Sequence, residues 1–253
     1  MSRRIAARST RTATIAVVSA GALALTLSGC AYFGPPHVVT DAASGAAAGL
    51  TRVTIDSPDG AVEVRGVAGL DEVSIERTVH YRGPEREISE THRFDDDQLV
   101  LGGCGRNCSV DYTVEVPAGV DVSGETSNGA ITLSDVGEVD VQTSNGRVDL
   151  ADVAGTVSAS SSNGRIVGRG LTGTGIDVDT SNGEIDLKVA TPQDVSADTS
   201  NGSIRIAVPD ASYRIDAHTS NGGTEIGVAD DPAGEFELAL GSSNGSVTVE
   251  AAG

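Results

Sequence analysis

From residue 122 onward the apolar positions fall into columns when the chain is aligned on a recurring Asn. Six places before it stand Val122, Val139, Val157, Ile176, Val195, Ile215 and Leu238. Three places after it stand Ile131, Val148, Ile166, Ile185, Ile204, Thr224 and Val247, and five places after it Leu133, Leu150, Gly168, Leu187, Ile206, Ile226 and Val249. Most are β-branched, which favours a pleated strand over a helix. Polar residues alternate with them at period two, as in VDVQTSNGRVDL (Val139 to Leu150). The alternation slips by one residue at Asn145-Gly146 and then resumes. Each unit reads as strand, corner, strand and a looser return.

The corner is written TSNG at residues 126, 143, 180, 199 and 219, and SSNG at 161 and 242. Its asparagines are Asn128, Asn145, Asn163, Asn182, Asn201, Asn221 and Asn244, spaced by 17, 18, 19, 19, 20 and 23 residues. Asn-Gly between alternating strands is also a hairpin signal. A string of hairpins needs a second turn as regular as the first, and here the return segments vary. Near-constant spacing of one corner fits a parallel β-solenoid, in which each rung stacks on the last and like sits over like. The fold class is therefore all-β: a single-stranded parallel β-solenoid of about seven rungs over 123–253. On this reading the asparagines form a buried amide ladder, and each Gly takes a positive-φ corner. Aromatics at 3% and no Trp agree with a thin aliphatic core.

Residues 51–122 are less regular. RVTIDSPDGAVEVRGV (Arg52 to Val67) reads as a degenerate rung with Asp59-Gly60 at its corner. The longer strands EVSIERTVHYRG and SVDYTVEVPAGV lack the corner, and the region reads as irregular rungs and an N-terminal β cap that protects the end of the stack.

Residues 1–29 read as an export leader: Arg3, Arg4, Arg8 and Arg11 precede an apolar run from Ala13 to Leu27, too short to span a bilayer comfortably. The run ends in Leu27-Ser28-Gly29-Cys30, which resembles a bacterial lipobox. That resemblance implies cleavage before Cys30, diacylglycerol on its sulfur, and residence on the extracytoplasmic face of the cell membrane. Residues 30–50, rich in Ala, Gly and Pro, read as a tether. Cleavage removes four of 17 basic residues and none of the 36 acidic ones, so the net charge falls from −19 to −23. Such a chain repels nucleic acid and anionic headgroups. Outside the cell Cys104 and Cys108 read as a disulfide, which at this spacing needs a turn that Gly102, Gly103 and Gly105 permit. The alternative, a metal-binding CxxxC, has no His or second Cys pair nearby.

CSVDYTVEVPAGV (Cys108 to Val120), followed at once by the SNG corners, resembles the bacterial family of candidate adhesins called domain of unknown function 4097. The resemblance covers roughly residues 53–249. It implies a right-handed β-helix related to domains of membrane proteins in envelope-stress systems. The family offers no agreed catalytic residues to carry over. This chain departs from the pattern at Gly168, which breaks an apolar column, and at Gly222-Gly223, which doubles the corner.

Little in the sequence marks chemistry. Of His37, His80, His92 and His218, the first lies in the tether and the last at an outward position before a corner. Asp140, Asp177 and Asp216 share one outward column, and Asp149 and Asp186 another. Such rows invite Ca²⁺ or, as in some β-helix enzymes, glycan cleavage. The first row is interrupted at Ser158, and a solvated acidic face is the simpler reading. The asparagine array could hold a sugar, but the repeats offer only Tyr213 and Phe236 as aromatic platforms. The sequence thus points to a non-catalytic lipoprotein with no metal or cofactor. It would act as an envelope binding or scaffolding module linked to envelope-stress sensing. Its membrane contact would be the lipid on Cys30, and its partner an envelope protein or wall polymer, not nucleic acid. An adhesin-like module that binds wall polymer or another cell is the alternative.

Overall fold

The computed structural model describes residues 34–57 and 59–253; the leader and Cys30 lie outside the described residues. All the regular structure among the described residues is β. Seven strands precede the repeats: β1 (Pro36–Ala46), β2 (Arg52–Asp56), β3 (Val62–Val67), β4 (Glu72–Arg82), β5 (His92–Asp95), β6 (Gln98–Gly102) and β7 (Cys108–Pro117). Seven two-strand units follow: β8 (Asp121–Thr126) with β9 (Ile131–Ser134), β10 (Val139–Thr143) with β11 (Val148–Ala151), β12 (Val157–Ser161) with β13 (Ile166–Leu171), and β14 (Gly175–Asn182) with β15 (Ile185–Val189). The remaining units are β16 (Asp194–Asn201) with β17 (Ile204–Val208), β18 (Tyr213–Asn221) with β19 (Thr224–Ile226), and β20 (Phe236–Asn244) with β21 (Val247–Ala251).

The first strand of each unit joins a ten-stranded sheet, ordered β18-β20-β16-β14-β12-β10-β8-β2-β6-β5. The second joins an eleven-stranded sheet, ordered β1-β4-β7-β3-β9-β11-β13-β15-β17-β21-β19. Pairing is parallel except for β1 with β4, β4 with β7, and β5 with β6. The register places column residue on column residue: Val139 pairs with Val157 and Val122, and Val148 with Ile166 and Ile131. The two sheets trap these side chains between them, and Val122, Ile131, Val139, Val148, Ile166 and Ile185 are wholly buried. Burying one such side chain contributes about 1.5–3 kcal/mol before ordering entropy is subtracted.

Three sequence expectations need correction. The tether proposed for 30–50 is strand from Pro36, lying antiparallel along β4. Its alternation is real (Val39 and Ala43 pack against the core) but hidden in small residues that lack the usual strand signal. Within residues 51–122 the rung expected at Arg52–Val67 is present, but β7, expected in the cap, pairs in parallel with β3 as part of a further unit. The β2–β3 pair is an interior unit, held between β6–β7 and β8–β9, with Val53, Ile55, Val62 and Val64 buried. Only β1, β4, β5 and the segment joining β4 to β5 close that end. Finally, rungs do not all stack on their predecessors. The β20–β21 unit sits between β16–β17 and β18–β19, so the unit before it in sequence is outermost. Leu238, Leu240, Val247 and Val249 are buried in the inner slot, whereas the displaced unit carries Ala217 and Thr224 in the same columns. The more apolar unit takes the place with a neighbour on both sides.

Candidate functional site

The first and third letters of the corner each have their own side-chain bond. The first residue points inward and its hydroxyl donates to the carbonyl of the neighbouring corner's Gly: Thr143 to Gly129 (3.1 Å), Ser161 to Gly146 (2.9 Å), Thr180 to Gly164 (2.9 Å), Thr199 to Gly183 (3.0 Å) and Ser242 to Gly202 (2.9 Å). The Asn amides form a ladder. Asn145 donates to Asn128 (2.9 Å), Asn163 to Asn145 (3.0 Å), Asn182 to Asn163 (3.0 Å) and Asn201 to Asn182 (3.0 Å). It continues in spatial order: Asn244 donates to Asn201 and Asn221 to Asn244, both at 3.1 Å. At the other end Asn128 donates to Asp59 (2.6 Å), so the degenerate corner is the first step of the same ladder.

Two details differ from the sequence reading. The asparagines are exposed at the surface, so the ladder is wet. Of the SNG glycines only Gly245 has positive φ (151°). The others are needed for close approach: a Cβ on Gly146, Gly164, Gly183 or Gly202 would collide with the carbonyl of the preceding corner's Gly. Like residues stack so tightly at this edge that only hydrogen fits.

The two outer faces differ in charge. On the eleven-stranded sheet the central acids have partners: Asp149 with Arg147, and Asp186 with both Arg165 (2.9 Å) and Arg169 (2.7 Å). On the ten-stranded sheet Glu138, Asp140, Asp177, Asp179, Asp194 and Asp198 make no ion pair among the described residues; Arg214, paired with Glu237 at 2.7 Å, lies at the edge. The column is Asp140, Ser158, Asp177, Ser196, Ala239, Asp216 in space, so small residues separate the acids. The small residues floor an open groove of about 610 Å³, walled by Glu138, Asp140, Asp177, Asp194 and Glu237. Asp179 beside it is held above the usual carboxylate range by burial first, then by Asp177 and Asp198. Among the described residues no three His, Cys, Asp or Glu side chains converge as metal ligands would.

The closed end holds the polar cluster that the sequence reading missed. Arg77, almost buried, contacts Asp41 through Nε (2.5 Å) and Nη2 (2.9 Å), and donates from Nη1 to the Ser89 carbonyl and the Thr91 hydroxyl, each at 2.9 Å. The Tyr112 hydroxyl lies 2.8 Å from the Thr91 carbonyl and 2.7 Å from that of Gly102. The hydrogen bond and charge of Arg77 lower the pKa of Asp41. Burial, then Arg77, lowers that of His92, whose Nδ1 is buried without a partner. His37 bonds the Gly83 carbonyl (3.1 Å) and stacks on Tyr81; His80 bonds Asp111 (3.2 Å); His218 stands in solvent. The four histidines therefore share no site. Cys104 and Cys108 are bonded, Cα atoms 5.7 Å apart, in the corner joining β6 to β7, where the repeats have SNG. The alternation of Val73, Ile75, Val79 and Tyr81 places Arg77 at an inward strand position, and that was the signal available; Asp41 lies in a stretch of small residues without one.

Residues 106–251 match the family model described as Toastrack DUF4097. No curated protein matches the chain in sequence. Solved structures that resemble it include a candidate adhesin of Parabacteroides merdae, 14% identical over 85% of this chain and 97% of that one, TM-score 0.44. Another is a candidate adhesin of Parabacteroides distasonis, 13% identical over 84% and 97%, TM-score 0.45. A candidate cell adhesion protein of Clostridium sporogenes is 10% identical over 85% and 100%, TM-score 0.40.

Proposed function

The chain belongs to the Toastrack DUF4097 family, and on that premise we propose that it is a non-catalytic binding or scaffolding module of the cell envelope. It is held at the extracytoplasmic face of the membrane by lipid on Cys30, and the stack is a right-handed solenoid used as a rigid platform. Contact is made through the outer face of the ten-stranded sheet. The observation that carries this reading is the asymmetry of charge between the two faces. Asp149 and Asp186 in the middle of one face are neutralised by arginines, while Glu138, Asp140, Asp177 and Asp194 on the other stand unpaired around a groove floored by Ser, Gly and Ala. Unpaired like charges repel one another and cost stability. A partner that covers them offsets that cost, and complementary charge steers its approach.

The test is photo-cross-linking of the full chain in its own cells. A photo-reactive residue at Ser158, in the groove, is expected to give a discrete protein adduct; the same residue at Ala151, on the opposite face, is expected to give none. Adducts at Ser158 to wall polymer alone would move the assignment to the adhesin-like reading. Equal labelling at both positions would remove the acidic face from the proposal, and turnover of wall glycans lost in Asp177→Asn would overturn the non-catalytic reading.

A further inference from the structure

The two ends of the stack are finished differently. At one end β1 and β5 run antiparallel to their neighbours, and the segment carrying Ser89 and Thr91 is bonded to Arg77. At the other, β18 and β19 are the last strands of both sheets and each pairs on one side only. The inward positions there are incompletely covered: Ile226 is 37% exposed, and Ile215, Ala217 and Val228 are half-buried.

The open edge is screened over half its length. In a parallel strand alternate residues turn their N–H and C=O to the same side. For β18 the outward set is Tyr213, Ile215, Ala217 and Thr219. The segment joining β19 to β20 covers the start of it: the Asp231 N–H donates to the Tyr213 carbonyl (2.8 Å) and the Ile215 N–H to the Asp230 carboxylate (3.0 Å). Ala217 and Thr219 have no outward backbone partner among the described residues, and neither does the side-chain oxygen of Asn221 at the end of the ladder.

We propose that this end pairs with the same end of a second copy of the chain. On β18 the residues free at both N–H and C=O are two, symmetric about His218. An antiparallel strand placed with His218 opposite its own counterpart sets Ala217 of each copy against Thr219 of the other. That is the hydrogen-bonded spacing of an antiparallel ladder, it uses both free residues, and it leaves the screened ones alone. A strand whose open stretch is its own antiparallel complement favours a closed two-fold contact. Docking also covers Ile226, Ile215 and Ala217. The end face is small, so the dimer is weak and shows at high local concentration.

The experiment uses the full-length protein from its host. In the pairing, His218 faces His218 as a non-hydrogen-bonded pair, Cα atoms about 4.5 Å apart, which a disulfide can bridge. His218→Cys is expected to give a covalent dimer under mild oxidation. Gln142→Cys, in the same outward column but in mid-sheet, is expected to stay monomeric. Sedimentation of the unmodified protein at roughly 100 μM should show dimer. Ala217→Pro removes the free N–H, Ile226→Lys charges the apolar rim, and each should weaken the dimer at least tenfold with β-sheet circular dichroism unchanged. A monomer at that concentration, together with no cross-linking of the His218→Cys variant, overturns the proposal. So do equal cross-linking of the two cysteine variants, a dimer indifferent to both Ala217→Pro and Ile226→Lys, and capture of a different protein at position 218. None of these outcomes bears on the groove, whose own labelling experiment reads Ser158.

Discussion

A four-letter corner that repeats is usually credited to its Asn and Gly, but here the first letter is the buried one. The inward hydroxyl of Thr180 satisfies the Gly164 carbonyl, and replacing it leaves that acceptor without its donor. Thr180→Val is expected to cost about 1–3 kcal/mol, and Thr180→Ser far less. Asn182 gives one ladder bond and accepts one, both at the surface, so Asn182→Val should cost only about 1 kcal/mol. Gly164→Ala has to push apart two stacked corners and should exceed both. Urea melts rank the three, and a larger loss at Asn182 than at Thr180 would mean that the wet ladder, not the hydroxyl, holds the corner. The sequence showed that Gly is required at the corner but not why. Positive φ and close approach call for the same residue, and only the register of neighbouring corners separates them.

At the scale of elements, strand existence was legible wherever side-chain size alternated, as in β10 and β11. It was lost in β1, where Ala42, Ala43, Ser44 and Gly45 carry the alternation without bulk. The groove acids could be placed in columns by counting, but their lack of partners could not. Whether Arg165 and Arg169 reach Asp186 depends on which strands are neighbours. The closed end makes its own prediction about pH. His92 has a lowered pKa in the fold, so the unfolded chain binds its proton first; the stability this group supplies is full above about 6.5 and falls as pH drops below it. Asp41 is lowered too, and its share is lost at more acid pH, below the ordinary carboxylate value of about 3.9. Amide exchange, corrected for intrinsic rates, should quicken at β1 and β5 between pH 7 and 5 while β10 to β17 stay protected. Uniform quickening would mean that the end is not an independent unit. Because the Asp41 side chain is 40% exposed, Asp41→Asn should cost no more than about 1 kcal/mol.

For the whole molecule, repeat number and parallel stacking followed from spacing alone, whereas the exchanged order of the last two units did not. All seven units satisfy the same columns, so the period permits either order. What decides is apolar content: Leu238, Leu240, Val247 and Val249 favour the slot over Ala217 and Thr224. The uneven charge of the faces has a global consequence. Asp179 has a raised pKa, so its charged form costs stability at neutral pH, and stability is recovered as pH falls through that value. Asp179→Asn should raise the melting temperature, and added salt should narrow the gain. Asp149→Asn, which discards a partner of Arg147, should not raise it. Equal shifts in the two variants would show that net charge matters and position does not.

The exchanged order also decides how the molecule bears load. In a stack built in sequence, traction on the final residues would peel an outermost strand, breaking its bonds one after another. Here the final strands, β20 and β21, are gripped along both edges. Traction there has to drag a unit from between two others, rupturing two interfaces together before anything can unzip. A platform that meets a partner at a surface thus has its most force-resistant joint at β20 and β21, and single-molecule pulling through β21 should meet its highest rupture force first.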